Sequence, residues 1–385
     1  MFVFSRKDLP AEPVFPADLE KLGYFITKDD QIRKISAPKE EFQFKINRNA
    51  RWNEMQREAM NTCIRNIVLS RLRSLGLITL RLPLTARPAD AHVPILISKN
   101  LSTASRVIVV FGEPIQDLGI WAYRTLSSDG IEVGSAVSFA RAVLDQKDTA
   151  LVLANTGQLV WHCGSGRAMT LTSWHCVPRK SAVDPPLVMT RRNKIPGNGD
   201  WQEHIQYVFE EILAARGRLV RADAKIGVVG LDDGGLGAIR YLGSNWEAWR
   251  PYISAICLTS PFHRIGVDFG DKDDKDSKDP SSFVSFVSSR CRGYILSEQD
   301  LELPVPAPEH YGCNCYSSGE PLITECVMPK AWEDMLKWLN TTFEDPEYCE
   351  ANLMFREFSG NMGGDAMKRV AELEQEDDMI ACSEQ

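Results

Sequence analysis

Residues 106–111 read R-V-I-V-V-F, an apolar run with no polar alternation and too short for a buried helix. A strand covered on both faces is the element that suits it. The run recurs at 149–154 (T-A-L-V-L-A), 225–229 (K-I-G-V-V) and 253–259 (I-S-A-I-C-L-T), and 79–84 and 93–98 read as two further strands around a turn at Pro88. Amphipathic stretches lie among them. Met55, Ala59, Met60, Cys63, Ile67, Val68 and Leu72 fall at helical spacing and predict one long helix over 50–76. Ile205, Val208, Phe209, Ile212 and Leu213 predict another over 203–214; 235–249 and 329–342 predict two more, the last opened by Pro329. Buried strands alternating with such helices imply an α/β fold, a mostly parallel sheet flanked by helices on both faces.

Organisation follows from the breaks in this pattern. Residues 1–49 read as an N-terminal helical and β extension packed on the main domain, which spans 50–343. A charged stretch at 269–281 (F-G-D-K-D-D-K-D-S-K-D-P-S) predicts a solvated loop insertion, and 344–385 predicts a mostly flexible acidic tail with a short helical pattern at 366–374. The first eight residues meet charge at once, and no later apolar run reaches the length of a membrane span, so neither a signal peptide nor a transmembrane segment is expected. That points to a nuclear and cytoplasmic protein whose ten cysteines are thiols. Cys313 and Cys315 make a metal site with His310 and Cys326 only on paper, because on a strand over 313–317 both thiols face one side at period two. No metal or other cofactor is expected. A net charge of −8 argues against a general nucleic-acid coat, which leaves a basic footprint.

Gly230-Leu-Asp-Asp-Gly-Gly235 follows a buried strand and precedes a helical stretch. This is the context of a nucleophile elbow, in which small residues permit a cramped strand-to-helix turn that raises one side chain above the carboxyl edge of a sheet. The raised residue is Asp232, with Asp233, Gly234 and Gly235 behind it. A carboxylate can attack carbon, so one reading is a hydrolase with Asp232 as nucleophile. Such an enzyme also needs a histidine to activate water. The loop after the last predicted strand, 318–328, holds none, and His263 and His310 come too early in the chain. Gly112 and Glu113 occupy the oxyanion-side loop, where Glu113 would repel developing negative charge. The other reading is a structural turn without chemistry, and it leads.

A second stretch, 154–161 (A-N-T-G-Q-L-V-W), sits at the carboxyl end of a predicted strand, the edge where ligands collect in open α/β sheets. Asn155, Gly157, Gln158 and Trp161 either line a binding site or form a turn with Trp161 and Trp174 packing an irregular lobe. The excursion that follows, 167–200, is long and rich in proline, with a basic cluster at Arg191, Arg192 and Lys194. Ordered excursions of this length are often functional.

These segments, with F-P-A-D-L-E-K-L-G-Y-F at 15–25, F-x-F at 42–44, Arg51-Trp52-Asn53, I-W-A-Y-R at 120–124, Gly134-Ser135, Ser173-Trp174, R-N-K-I-P-G-N at 192–198 and Glu203-His204, resemble the fungal Argonaute-binding protein two domain family across about 16–343. The resemblance implies an α/β-hydrolase-like fold and a subunit of an Argonaute siRNA chaperone complex acting in RNA interference and heterochromatin formation. It implies an Argonaute protein and a second Argonaute-binding subunit as partners, without strong direct binding of nucleic acid and without a membrane. Animal relatives carry serine where this chain has Asp232, so the resemblance implies a pseudo-hydrolase: a noncatalytic interaction subunit for gene silencing. The loop carrying Trp161, Trp174, Arg191 and Arg192 is then the expected interface.

Overall fold

The computed structural model describes residues 11–181, 183–269, 279–351 and 353. Most of the predicted loop at 269–281 and of the tail beyond 353 therefore lies outside the described residues. The chain divides into two compact units, Met1–Ala222 and Asp223–Gln385.

In the first unit, β1 (Tyr24–Ile26) and β2 (Ile32–Lys34) form an antiparallel hairpin ahead of α1 (Ala50–Ser74). The Asn49 side chain caps α1 by accepting from the Arg51 N–H, and Met60, Ile64, Val68 and Leu72 give it a fully buried stripe. Next come β3 (Leu77–Leu82), β4 (Val93–Ser98), β5 (Arg106–Phe111), α2 (Tyr123–Ser128), α3 (Val137–Leu144) and β6 (Thr149–Leu153). The strands lie in the order β5-β6-β4-β3; β5 and β6 are parallel, and β4 pairs antiparallel with both β6 and β3. The excursion after β6 is less irregular than its sequence suggests. β7 (Val160–His162) and β8 (Arg167–Met169) form a hairpin, followed by α4 (Leu171–His175) and α5 (Trp201–Tyr207). The helix predicted over 203–214 widens into a π-helical turn at Val208–Leu213, which turns Val208, Phe209, Ile212 and Leu213 all into the core.

The second unit is a parallel sheet in the order β12-β11-β10-β9, built from β9 (Lys225–Leu231), β10 (Ile253–Thr259), β11 (Cys291–Ile295) and β12 (Asn314–Ser317). Helices α6 (Asp233–Ser244), α7 (Trp246–Trp249), α8 (Ile265–Asp268), α9 (Phe283–Arg290) and α10 (Val327–Glu344) accompany it. Strand alternation shows which face each helix covers. Gly227 faces Leu339 and Phe343 of α10, and Cys257, level with Val229 on that face, donates its thiol toward the Met335 carbonyl. On the opposite face Gly230 lies against Gly235 of α6, and Gly243 of the same helix meets Phe283 of α9. Both faces are covered, and taken over the two units the pairing is mostly parallel, so the expected α/β architecture is the one observed.

Several predicted boundaries shift, among them that of the strand expected at 79–84, which lies at Leu77–Leu82. Helix α10 begins at Val327, so Pro329 sits inside the first turn rather than at its start, where the missing N–H is equally harmless. Asn245 breaks the helix predicted over 235–249 into α6 and α7. The first residues after α10 are fastened down: Arg290 donates to the carbonyls of Asp345, Pro346 and Tyr348, and Arg292 pairs with Glu350 while lying between the Tyr316 and Trp338 rings.

A close backbone approach in the second unit joins β9 to α6. A Cβ added at Gly230 would stand 2.3 Å from the Gly235 Cα, whereas one at Gly266 meets nothing within 4 Å. Gly230→Ala should lower the stability of the unit by about 1–3 kcal/mol, the usual range for overpacking, and Gly266→Ala should leave it unchanged. Urea midpoints of the two variants check this; equal midpoints would contradict it.

Candidate functional site

In the first unit the polar residues of the 154–161 stretch turn inward. Asn155, 2% exposed, donates from Nδ2 to the Pro94 carbonyl at 2.8 Å and to Gln158 Oε1 at 2.9 Å, and its Oδ1 accepts from the Gln158 N–H. Gln158 Nε2 donates to Asp117 Oδ1 at 2.5 Å. Asp117 Oδ2 accepts from Tyr123 Oη at 2.7 Å and from Arg65 Nη1 at 3.0 Å. Arg65 then reaches Glu58 Oε1 at 2.7 Å, and Glu58 Oε2 accepts from the Ser173 hydroxyl. Burial works against the charge of Arg65, but Asp117, with Tyr123 and Glu58, outweighs it and raises the guanidinium above its ordinary value. The Tyr123 phenol is pushed well up by burial and by the Asp117 carboxylate.

Gly157 is required by contact. A Cβ there would stand 1.9 Å from the Gln116 carbonyl oxygen, so no other residue lets the loop after β5 close on this turn. Thr156 completes the closure by donating to the Gly112 carbonyl at 2.6 Å. A small cleft remains beside it, with about 300 Å³ of empty space counting its mouth, lined by Gly112, Glu113, Gln116, Asp117, Trp121 and Asn155 among others.

His204 is fully buried and holds the other side of Asn155. Its Nε2 accepts from the Asn155 backbone N–H at 3.0 Å, which leaves Nδ1 protonated and donating to Asn198 Oδ1 at 2.6 Å. Burial lowers its pKa to about 3. Trp161 and Trp174 are 5% and 4% exposed: Trp161 packs on His92, its carbonyl accepts from Asn193 Nδ2, and Trp174 donates to the Leu187 carbonyl. Arg191 and Arg192 alone among the expected binding residues are exposed. Asp117, Arg65, Glu58, Tyr123 and His204 were not singled out by spacing. The signal was there in Arg65, a charged residue on the buried stripe of α1 between Asn61 and Val68.

The second unit holds the elbow. Asp232 lies between β9 and α6 at φ 47°, in the left-handed region where only a constrained non-glycine residue persists. Its N–H donates to the Thr259 carbonyl and hydroxyl. Ser260, just past β10, is also left-handed at φ 43°. His263, 0% exposed, donates from Nε2 to the Tyr311 carbonyl at 2.6 Å, and its Nδ1 has no hydrogen-bond partner among the described residues. Burial lowers its pKa, with the Tyr311 carbonyl and Asp268 opposing. His310 is exposed with its ring edge against Tyr311. Gly293, paired with Cys315, looks onto that thiol, and β12 begins at Asn314, so Cys313 precedes the strand expected over 313–317. Among the described residues no group of three or more His, Cys, Asp or Glu is placed to hold a metal ion, and no helix is long and apolar enough to cross a membrane.

A model of the Arb2 domain matches residues 15–301. The cotranscriptional regulator ARB2A of Mus musculus is 26% identical over 152 residues, which make up 38% of this chain and 36% of that protein. The aligned stretch thus spans about a third of the curated relative. Among solved structures, a glucuronoyl esterase from Solibacter usitatus is similar over 70% of this chain and 84% of its own, with 11% identity and a TM-score of 0.33. The Zea mays acyl-protein thioesterase 2 is similar over 64% and 98%, with 13% identity and a TM-score of 0.34. At those scores they add nothing to the reading of the site.

Two outcomes are expected of the buried network. Asp117→Asn leaves Arg65 short of its main counter-charge and should destabilise the protein by about 3–5 kcal/mol, the range for breaking a buried pair, as read from denaturant midpoints. His204 binds its proton far less readily folded than unfolded, so stability should fall as pH drops from 6.5 toward about 3 and be fully retained above that window. His263 adds a loss of the same sign. His204→Gln should reduce the difference between midpoints at neutral and mildly acidic pH; an unchanged difference would contradict the assignment.

Proposed function

This chain belongs to the Arb2 domain family, and from that premise we propose that it is a noncatalytic regulatory subunit acting through protein contacts. Its setting is a nuclear RNA-interference complex of the Argonaute siRNA chaperone type, beside an Argonaute protein and a second Argonaute-binding subunit. The mouse relative, a cotranscriptional regulator by name, supports the regulatory half of this reading. The observation that carries the noncatalytic half is that the loop after β12, 318–326, holds no histidine, while the buried His204 has both ring nitrogens engaged. His204 is locked as a neutral bridge between Asn155 and Asn198, and His263 gives its Nε2 proton to a backbone carbonyl. Among the described residues neither histidine hydrogen-bonds a carboxylate; His204 has both ring nitrogens engaged, whereas His263 keeps an unpartnered Nδ1.

The left-handed backbone at Asp232 favours one second reading, a hydrolase with that carboxylate as nucleophile. The two readings part on one substitution. Asp232→Asn keeps a side chain that tolerates positive φ, so an interaction subunit should retain its fold, its partners and silencing. A hydrolase would lose turnover, measured with p-nitrophenyl esters as probes. The wild-type chain is expected to recover an Argonaute protein and a second Argonaute-binding subunit from nuclear extract and to bind isolated small RNA weakly at physiological salt. Loss of silencing in a stable, partner-retaining Asp232→Asn chain would sink the noncatalytic reading, and tight stand-alone RNA binding would sink the proposed division of labour.

A further inference from the structure

The excursion between α4 and α5 contains a segment whose backbone is pinned while its side chains face solvent. Arg179 Nη1 donates to the Asp184 carbonyl at 2.9 Å, and Trp174 Nε1 to the Leu187 carbonyl at 3.2 Å. Asn193 Oδ1 accepts from the Thr190 N–H, its Nδ2 holds the Trp161 carbonyl, and Lys194 bridges to Val160 of β7. Pro185 and Pro186 keep the start of the segment out of helical conformation. Between these anchors Leu187, Val188 and Met189 are 42%, 83% and 43% exposed. Their backbone N–H groups have no hydrogen-bond partner among the described residues.

Directly after them come Arg191, Arg192 and Lys194, all exposed and none in an ion pair among the described residues. In a chain with net charge −8 and 52 acidic residues, three adjacent cations that recruit no carboxylate of their own are complementary to negative charge from outside. The nonhelical stretch 187–190, with unpartnered amides at 187–189 and apolar side chains, fits a peptide added edge to edge, because main-chain hydrogen bonds give affinity and side chains give selectivity, and a 3-10 turn at Arg191–Asn193 sets the cations at its end. Pinning matters here, since a strip already ordered loses little entropy on binding.

We infer that the strip over 187–194 docks an extended protein segment that alternates aliphatic and acidic residues. Nucleic acid suits the strip less well. Single-stranded nucleic acid is held by aromatic stacking along a basic groove, and here the aromatic side chains, Trp161 and Trp174, are buried while the exposed ones are aliphatic. The inference rests on the interaction reading above and supplies the chemistry of its partner.

The test uses the full chain and fluorescence anisotropy at physiological salt. The probes are a short labelled peptide alternating leucine and glutamate, the same peptide with lysine for glutamate, and an oligouridine. The acidic peptide should bind saturably. The triple variants Leu187→Ser/Val188→Ser/Met189→Ser and Arg191→Glu/Arg192→Glu/Lys194→Glu should each weaken it about tenfold or more, a loss of ~1.4 kcal/mol, with melting temperatures kept near wild type because the side chains are exposed. Absent saturable binding, equal affinity for the lysine peptide, tighter binding of oligouridine, or full affinity in both variants would each overturn the inference. Should it fail while Argonaute still co-purifies, the functional reading stands without this strip. If the peptide binds as expected and Argonaute does not co-purify, that reading falls and the strip remains.

Discussion

A guanidinium buried in the side of a helix has to find its counter-charges within the protein, and much of the first unit is arranged to supply them. Arg65 sits on the inward stripe of α1, and three separate segments converge on it: the loop after β5 with Asp117, the start of α2 with Tyr123, and α4 with Ser173 through Glu58. Taking two charges out of water costs several kcal/mol per ion, recovered only when geometry and hydrogen bonding are complete. Completion here extends outward from Asp117 to Gln158 and Asn155, and from the backbone of Asn155 to His204 and Asn198. One chain of partners thus accounts for why so many polar residues of this unit lie inside it.

That chain also explains the cluster of short motifs. Gly157 lets the Asn155–Gln158 turn touch the Gln116 carbonyl, Gly134 passes within 2.5 Å of the Leu126 nitrogen for any added Cβ, and the 192–198 stretch ends at the asparagine that receives the His204 proton. Asn155 and Gln158, candidate ligands for a substrate, hydrogen-bond one another, and Gln158 also holds Asp117.

The fold was legible where burial is uniform along a strand. β5, β10 and the core of β9 follow directly from unbroken apolar runs, and α1 from its period. β11 (C-R-G-Y-I) escaped because Arg292 interrupts the run, and only its placement between the Tyr316 and Trp338 rings, paired with Glu350, makes arginine acceptable there. The β7–β8 hairpin escaped for a similar reason: three-residue strands carry no measurable period, and it is the packing of Trp161 and Trp174 that orders them. At the site, Asn155, Gly157 and Gln158 were visible as unusual residues at a strand end, but their partners were not. Asp117 and Arg65 are 52 positions apart, and spacing in sequence carries no information about a contact at that range.

The elbow invites a functional reading of its strained backbone, yet the strain has a cause that does not depend on the side chain. Gly230 lies so close to Gly235 that a Cβ on it would stand 2.3 Å from the Gly235 Cα, and the chain must turn from strand to helix within the residues between them. Asp232 takes φ 47° as a result, and its amide is held by both the carbonyl and the hydroxyl of Thr259 on the neighbouring strand. Such a conformation costs on the order of 1–3 kcal/mol and persists because the surrounding contacts determine it. The close approach of β9 and α6 at these glycines is by itself a packing reason for the geometry of a nucleophile elbow. Chemistry would require a base as well: His263, the histidine that follows the adjacent strand, donates from Nε2 to Tyr311 and stacks on Phe269, and its unprotonated Nδ1 has no hydrogen-bond partner among the described residues. The joining of a buried strand to a buried helix is thus enough to produce the turn's geometry.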